Sequence, residues 1–282
     1  MLSPDETIHP APLPPLAPPY GSRLFDFARA CPYEAEYYGA MLNGLQPGQV
    51  FSDGQPEPSA LLFWHYSGYA SVAGKPDEAF AAAVRDMVLG THLRFRENTL
   101  CKSRFILQQG DACMDAALIG VPGILHKERL CFRLNDVPVK SPALPAGFSL
   151  RPLDGQLLSR MHGDVTPGFS WPSDAAFLRH GKGFCVAHGD EPVAWAFSAA
   201  IGLRRMDIGV ETVAAYRGRG LSKAAAAALA AYACSAGLTP VWGCDSKNLP
   251  SRKTAESVGF VLEGRHAKDV REPGSAQSRR DS

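Results

Sequence analysis

The segment Tyr216-Arg217-Gly218-Arg219-Gly220-Leu221-Ser222 constrains this chain more than any other, because it carries a strand into a long helix through two glycines. Upstream, Met206 to Val213 alternates, with Met206, Ile208, Val210 and Thr212 on one face, and reads as a strand. Downstream, Leu221 to Ser235 reads as a helix, stopped by Gly237 and Pro240. A glycine turn entering a helix leaves backbone N–H groups without partners, and the macrodipole adds roughly half a positive charge there. Glycine also lets a ligand approach the backbone, so the turn suits a phosphate. The plain alternative is an ordinary strand-to-helix turn with two surface arginines. The dinucleotide fingerprint is excluded, lacking a third glycine and an acidic residue at its offsets. The phosphate-loop motif fails on the glycine spacing before Lys223.

The 282 residues suffice for two compact domains. A net charge of +1 leaves no electrostatic footprint for nucleic acid, and Arg-Gly-Arg-Gly occurs once. Seven cysteines are odd in number and scattered, without Cys-x-x-Cys or zinc spacing, which reads as reduced thiols and no metal. The first twenty residues hold seven prolines with Asp5 and Glu6, unlike the apolar core of a signal peptide. The alanine-rich run Ala224 to Cys234 is too short to span a bilayer. The expectation is a cytoplasmic protein without membrane or nucleic-acid partners, its oligomeric state open.

Residues 1–20 read as a disordered proline-rich arm and 268–282 as a disordered tail. Three prolines in Val137 to Gly147 mark a boundary, giving an α+β domain over 21–140 and a second domain over 147–265. The first is expected to run helix (Pro32 to Leu42), strands (Gln49 to Ser52, Ala60 to Tyr66), helix (from Pro76), strand (Arg104 to Gln108), helix (Asp111 to Ile119) and a strand around Leu130 to Leu134. The second runs strand (Phe148 to Pro152), helices (Gly155 to Met161, Ser173 to His180) and a hairpin (Phe184 to His188, Val193 to Ile201). The Met206 strand and its helix follow, then a strand (Thr239 to Gly243), a helix (Leu249 to Val258) and a strand (Phe260 to Glu263).

That order, with Arg217-Gly-Arg-Gly220-Leu-Ser222, resembles the GNAT superfamily of N-acetyltransferases, whose cofactor motif is (Arg or Gln)-x-x-Gly-x-(Gly or Ala) after an aromatic residue. Tyr216, Arg217 and Gly220 match, and Ser222 takes the place of the final small residue. Asn248, a short helix and Val258-Gly259-Phe260 give a second match. The resemblance covers about 147–265, and the whole chain, with its motif-free N-terminal half, looks most like the zwittermicin-resistance type. The fold implied is α+β, a GNAT-like mixed sheet flanked by helices. The N-terminal domain is then either a degenerate copy of the same fold, its corresponding turn being Ala73-Gly74-Lys75-Pro76, or an unrelated α+β domain.

The resemblance implies acetyl transfer from acetyl-CoA to a primary amine, with a small-molecule acceptor expected because an extra domain would wall the pocket. Pyrophosphate would sit on the backbone of Arg217, Gly218, Arg219, Gly220, Leu221 and Ser222, with both arginines as cations. Pantetheine would lie where the fourth and fifth strands splay, pairing with Val210, Thr212 and Val213, and Asn248 would close the cofactor site. Unpaired amides at the splay would polarise the thioester carbonyl. An amine with a pKa near 10.4 costs about 4.6 kcal/mol to deprotonate at pH 7, so a base is useful. Glu211 is the candidate; its structural alternative is a solvated edge or an ion pair with Arg204 or Arg205. The family's tyrosine acid is replaced by Ala255, leaving Asp245, Ser246, water or no acid at all. Trp171 and Asp174 either line the acceptor site or, for Trp171, cover the core. Cys244 reads as a small buried residue rather than a nucleophile, since no histidine lies nearby in sequence. A catalytically silent acyl-CoA sensor and a protein-amine acetyltransferase stand as the rival functions.

Overall fold

The computed structural model describes residues 13–89, 104–108, 111–135, 139 and 141–271, and these fall into two compact units. In chain order the elements are β1 (Pro15–Leu16), α1 (Ser22–Ala30), α2 (Ala35–Leu42), β2 (Gly48–Ser52), β3 (Ala60–His65), β4 (Tyr69–Gly74), α3 (Glu78–Leu89), β5 (Phe105–Gln108), α4 (Ala112–Leu118) and β6 (Leu125–Leu134). Then come β7 (Phe148–Pro152), α5 (Gly155–Ser159), α6 (Asp174–His180), β8 (Gly183–His188), β9 (Glu191–Gly202), β10 (Arg205–Thr212), α7 (Leu221–Ser235), β11 (Thr239–Asp245), α8 (Leu249–Val258) and β12 (Phe260–Arg271).

The first unit comprises residues up to Pro32, Gly48–His126 and the stretch from Ala267. Its sheet runs β1-β2-β3-β4-β5, with Lys268–Arg271 antiparallel to Phe105–Gln108. Every residue of β3 is buried, and Leu62 and Trp64 join Phe80, Val84, Met87 and Val88 of α3 in one core. Trp64 meets Phe105 edge-on at 5.3 Å, a favoured aromatic geometry.

The second unit comprises Tyr33–Pro47 and Lys127–His266, with sheet order β12-β6-β11-β10-β9-β8-β7. Helix α7 is rich in alanine, the best helix former, and buries Ala224 to Ala227 and Ala230 in a core shared with Ala194 and Ala196 of β9. Small side chains on both surfaces let helix and sheet approach closely. The other face of β9 presents Trp195 and Phe197; Phe177 packs edge-on against both Phe197 and Trp171. Helix α2 lies across the end of β9, where a β-carbon on Gly202 would overlap the backbone of Glu36 and Ala40.

Three antiparallel strands, a helix, a parallel strand and a helix occur in both units: β2-β3-β4-α3-β5-α4 in the first and β8-β9-β10-α7-β11-α8 in the second. The first unit therefore repeats the order of the second. The boundary expected at Val137 to Gly147 falls inside the second unit, because Arg129–Arg133 pair with β11 and Leu130, Phe132 and Leu134 enter that core. Likewise α2, expected in the N-terminal domain, belongs to the second unit.

Other expectations shift. Pro15–Leu16, read as part of a disordered arm, pairs with Val50–Phe51; residues 1–12 lie outside the described residues. The last strand, expected to stop at Glu263, continues to Arg271, so 268–271 are strand rather than tail, and 272–282 lie outside the described residues. Cys101 also lies outside them; Cys31, Cys113, Cys131, Cys185, Cys234 and Cys244 are thiols rather than half-cystines. Helix α1 and strand β4 were not signalled in sequence, the latter because Tyr-Ala-Ser-Val-Ala-Gly is short and dominated by small residues. No helix among the described residues is long and apolar enough to cross a membrane.

Candidate active site

Strands β10 and β11 are paired in parallel only over Arg205–Asp207 and Thr239–Val241. Beyond Asp207 they part, and β10 stays paired with β9 as far as Thr212. The opening leads to a cavity of about 630 Å³, lined on one side by Val210, Glu211 and Thr212, at its end by Tyr216, Arg217, Gly218, Gly220, Leu221 and Ser222, and opposite by the start of α8. Strand divergence, glycine turn and helix start converge on one space.

At the turn, Gly218 and Gly220 take φ of +78° and +73°, the left-handed region that favours glycine. A β-carbon on either would meet nothing within 4 Å, so the requirement is conformational and the space before the turn is open. Gly220 is the N-cap of α7 and no side chain caps it, so the first amides of the helix are presented toward the cavity. Arg217 Nε donates to Thr212 O at 3.1 Å, bracing the turn against the end of β10. The Arg219 guanidinium lies 5.4 Å over the Tyr216 ring, which in turn packs edge-on against Phe148. An uncapped, positively polarised helix start behind an open cradle fits a pyrophosphate.

Of the residues expected to hold coenzyme, Val210, Thr212, Arg217, Gly218, Gly220, Leu221, Ser222 and Asn248 line this cavity. Arg219 is exposed beside it, and Val213 N–H is bonded to Val193 O at 2.9 Å. Asn248 also caps α8, its Oδ1 accepting from Ser251 N–H at 3.2 Å. Sequence reasoning missed the opposite wall, Leu249, Pro250, Ser251, Lys253 and Thr254. Its only sequence signal is the Asn248-Leu249-Pro250 helix start. Lys253 adds a cation there, and Trp242 Nε1 donates to Ser251 Oγ at 3.0 Å, fixing the wall to β11.

Glu211 lines the cavity, and its Oε2 accepts from Val165 N–H at 2.7 Å. A β-carbon on Gly163 would overlap the same carboxylate, and Trp195 Nε1 donates to Val165 O at 2.8 Å. The 163–165 segment is thus fastened to β9 and β10 from both sides. The anticipated ion pair of Glu211 with Arg204 or Arg205 does not form: Arg204 bonds Gly237 O and Arg205 lies 3.3 Å from Glu36. Asp245 accepts from Lys247 N–H at 3.0 Å and Ser246 N–H donates to Glu128 O at 2.9 Å, both outside the cavity lining. Ala255 and Cys244 are core residues. Trp171 is 1% exposed, its Nε1 donating to Ser198 O at 2.8 Å, so it covers the core, while Asp174 is exposed in the first turn of α6.

A second group of ionisable side chains was not legible in sequence. Tyr37 of α2 donates its hydroxyl proton to Asp207 Oδ2 at 2.6 Å, at the last paired residue before the strands part. Glu34 pairs with Arg129 at 2.5 Å and Glu36 with Arg205, so three buried carboxyls meet two guanidiniums. Burial pushes Glu36 up, to about 8, against the pull of Arg205; burial likewise raises Asp207, with Glu34 adding to it and Arg129 and Tyr37 opposing. Among the described residues no three His, Cys, Asp or Glu side chains gather as a metal site.

The chain belongs to the GNAT acetyltransferase family, whose model matches residues 33–267. That span begins at the first residue of the second unit and ends within β12, one residue past it. YdfB of Bacillus subtilis, described as an uncharacterized N-acetyltransferase, is 26% identical over 226 residues, covering 78% of this chain and 84% of that protein. In fold the chain resembles a GCN5-related N-acetyltransferase-like protein from Streptococcus suis, with TM-score 0.63, 22% identity, and coverage of 88% and 95% of the two chains. It also resembles a tandem GNAT protein from the clavulanic acid biosynthesis pathway, with TM-score 0.56, 13% identity, and coverage of 91% and 96%. The protein is thus an acetyltransferase of the GNAT type with a mixed α+β fold.

Proposed function

We propose that the second unit transfers acetyl from acetyl-coenzyme A to a primary amine of a small molecule. The observation that carries this reading is the uncapped glycine turn at the end of the β10–β11 divergence, facing a cavity with cations on both walls, Arg217 and Lys253. Pyrophosphate rests on the amides of Gly218 to Ser222, and pantetheine follows β10, adding hydrogen bonds as an extra strand would. Glu211, in the cavity lining, is the candidate general base for the acceptor amine, and it also holds the 163–165 segment through Val165. The narrower zwittermicin-resistance subgroup and a cytoplasmic location belong to the same reading, the latter supported by the reduced state of the described cysteines.

Thermal unfolding with and without acetyl-coenzyme A tests the donor site. At a hundred times its dissociation constant the ligand adds about 2.7 kcal/mol, a rise of roughly 5–10 °C. Gly220→Glu sets a carboxylate among the phosphates and should abolish the rise. A wild-type protein without any rise would refute the donor site. The sensor reading draws on one observation, the fully buried Ala255 where the family has a tyrosine; a clear rise with no amine-dependent thiol release would favour it.

A further inference from the structure

Strands β4 and β5 of the first unit pair in parallel only through Tyr69–Ala70 and Ile106–Leu107, and beyond that short contact they separate. The separation holds a cleft of about 340 Å³, at the small end of the range for sites that take small molecules. It has little more than half the volume of the second unit's cavity. Its rim is exposed, at Ala30, Pro32, Gly74 and Lys75, and its floor is buried. On that floor Leu107 and Met114 belong to the core around α3, while Ser71 and Gln108 are polar side chains 2% and 5% exposed. A hydroxyl and a carboxamide each donate and accept, so the floor can orient a polar group beside apolar wall.

Two opposite charges border this space without meeting. The Lys75 backbone is anchored, its N–H donating to Ser59 O at 2.9 Å, and its ammonium pairs with no carboxylate among the described residues. Asp111 spends Oδ1 on the two amides at the start of α4, Cys113 at 2.9 Å and Met114 at 3.2 Å. Among the described residues its Oδ2 accepts from none. A lysine and an aspartate held apart across one cleft match a ligand that carries both charges on its own skeleton.

We propose that the cleft between β4 and β5 binds a free α-amino acid with an apolar side chain, its ammonium on Asp111 and its carboxylate on Lys75. The proposal concerns the first unit alone and does not rest on the donor site of the second. Ser71 and Gln108 supply the remaining polar contacts, and Val72, Leu107 and Met114 receive the side chain. A simple amine would leave Lys75 facing another cation, and a simple carboxylate would leave Asp111 facing another anion; a zwitterion satisfies both. A phosphate finds no bare helix start here, since Asp111 already occupies the first amides of α4.

Calorimetric titration of the full chain with L-leucine tests this, with isoamylamine and isocaproate as analogues that each keep one of its two charges. The wild type should bind one leucine per chain. Each analogue should bind at least about tenfold more weakly, the scale of one lost charge-assisted hydrogen bond. Asp111→Asn removes the charge and keeps the α4 cap, because asparagine caps a helix as well as aspartate does. It should weaken leucine about tenfold or more and leave isocaproate, which has no ammonium, unaffected. Lys75→Gln alters an exposed side chain and should show the converse, weaker leucine with isoamylamine unaffected. That crossed pattern separates a zwitterion site from a general loss of folding, and the analogue comparison needs only the unaltered protein. Absence of heat with leucine up to about 10 mM, where a dissociation constant of about 1 mM is visible, overturns the proposal. So does an analogue that binds as tightly as leucine. Leucine binding that both variants leave intact places the amino acid elsewhere on the chain and overturns it too.

Discussion

At the scale of single residues, the donor site turns on backbone conformation rather than on side-chain chemistry. Gly220 has open space around its α-carbon, so any substitution there is penalised by φ alone. Gly220→Ala should destabilise by about 1–2 kcal/mol, and Gly220→Asn by less, since asparagine tolerates the left-handed region better. Chemical denaturation of the three proteins checks that order; equal stability would mean that the turn relaxes to another conformation. Coenzyme affinity should fall in both variants, because a β-carbon then stands in the cradle. The turn was legible because its glycines are contiguous with a strand and a helix that announce themselves. The Tyr37–Asp207 pair was not, since its members lie 170 residues apart and neither is unusual locally. Glu211 was legible as a carboxylate in an apolar strand, but its hold on Val165 depends on a segment without periodicity.

Among the elements, α2 has the least ordinary tie to its surroundings. It carries Glu36 into the interior against Arg205, while Glu34, just before it, takes φ of +58° and reaches Arg129 of β6. Burial raises the Glu36 carboxyl to about 8 in the folded protein, so between the ordinary glutamate range and that value the folded state binds more protons than the unfolded one. This group's stabilisation is full at and below the ordinary range and is lost as pH rises toward 8. Urea midpoints of the wild type should therefore decline over that interval relative to Glu36→Gln, which lacks the titration; parallel curves would contradict the assignment. Two helices of the second unit were readable to the residue: α7 and α8 match their expected bounds, because caps and glycine stops coincide with the periodic pattern. What composition could not supply was pairing. Strand β6 reads in sequence as the last strand of the first domain, and its register with β11 puts it in the second unit.

For the molecule as a whole, the repeat of element order invites the expectation of two coenzyme sites, and the structure argues for one. Between β4 and β5 the first unit has a cleft of about 340 Å³ in the corresponding place, bordered by Gly74, Lys75 and Asp111. There a β-carbon on Gly74 would overlap the Ser59 carbonyl, so the turn is closed by backbone. The Phe80 amide at the start of α3 is already taken by the Asp77 carboxylate at 2.8 Å, with Glu78 in the same turn. Phosphate would meet acid where the second unit offers bare amides. Calorimetric titration should give one acetyl-coenzyme A per chain, and a stoichiometry of two would contradict this account. The strand pairing of β5 with Lys268–Arg271 carries a further consequence, for biosynthesis. At 5–20 residues per second the ribosome delivers that stretch on the order of ten seconds after β5 itself. During that interval the nascent N-terminal sheet has an unpaired rim, a window in which a chaperone or a neighbouring nascent chain competes for it.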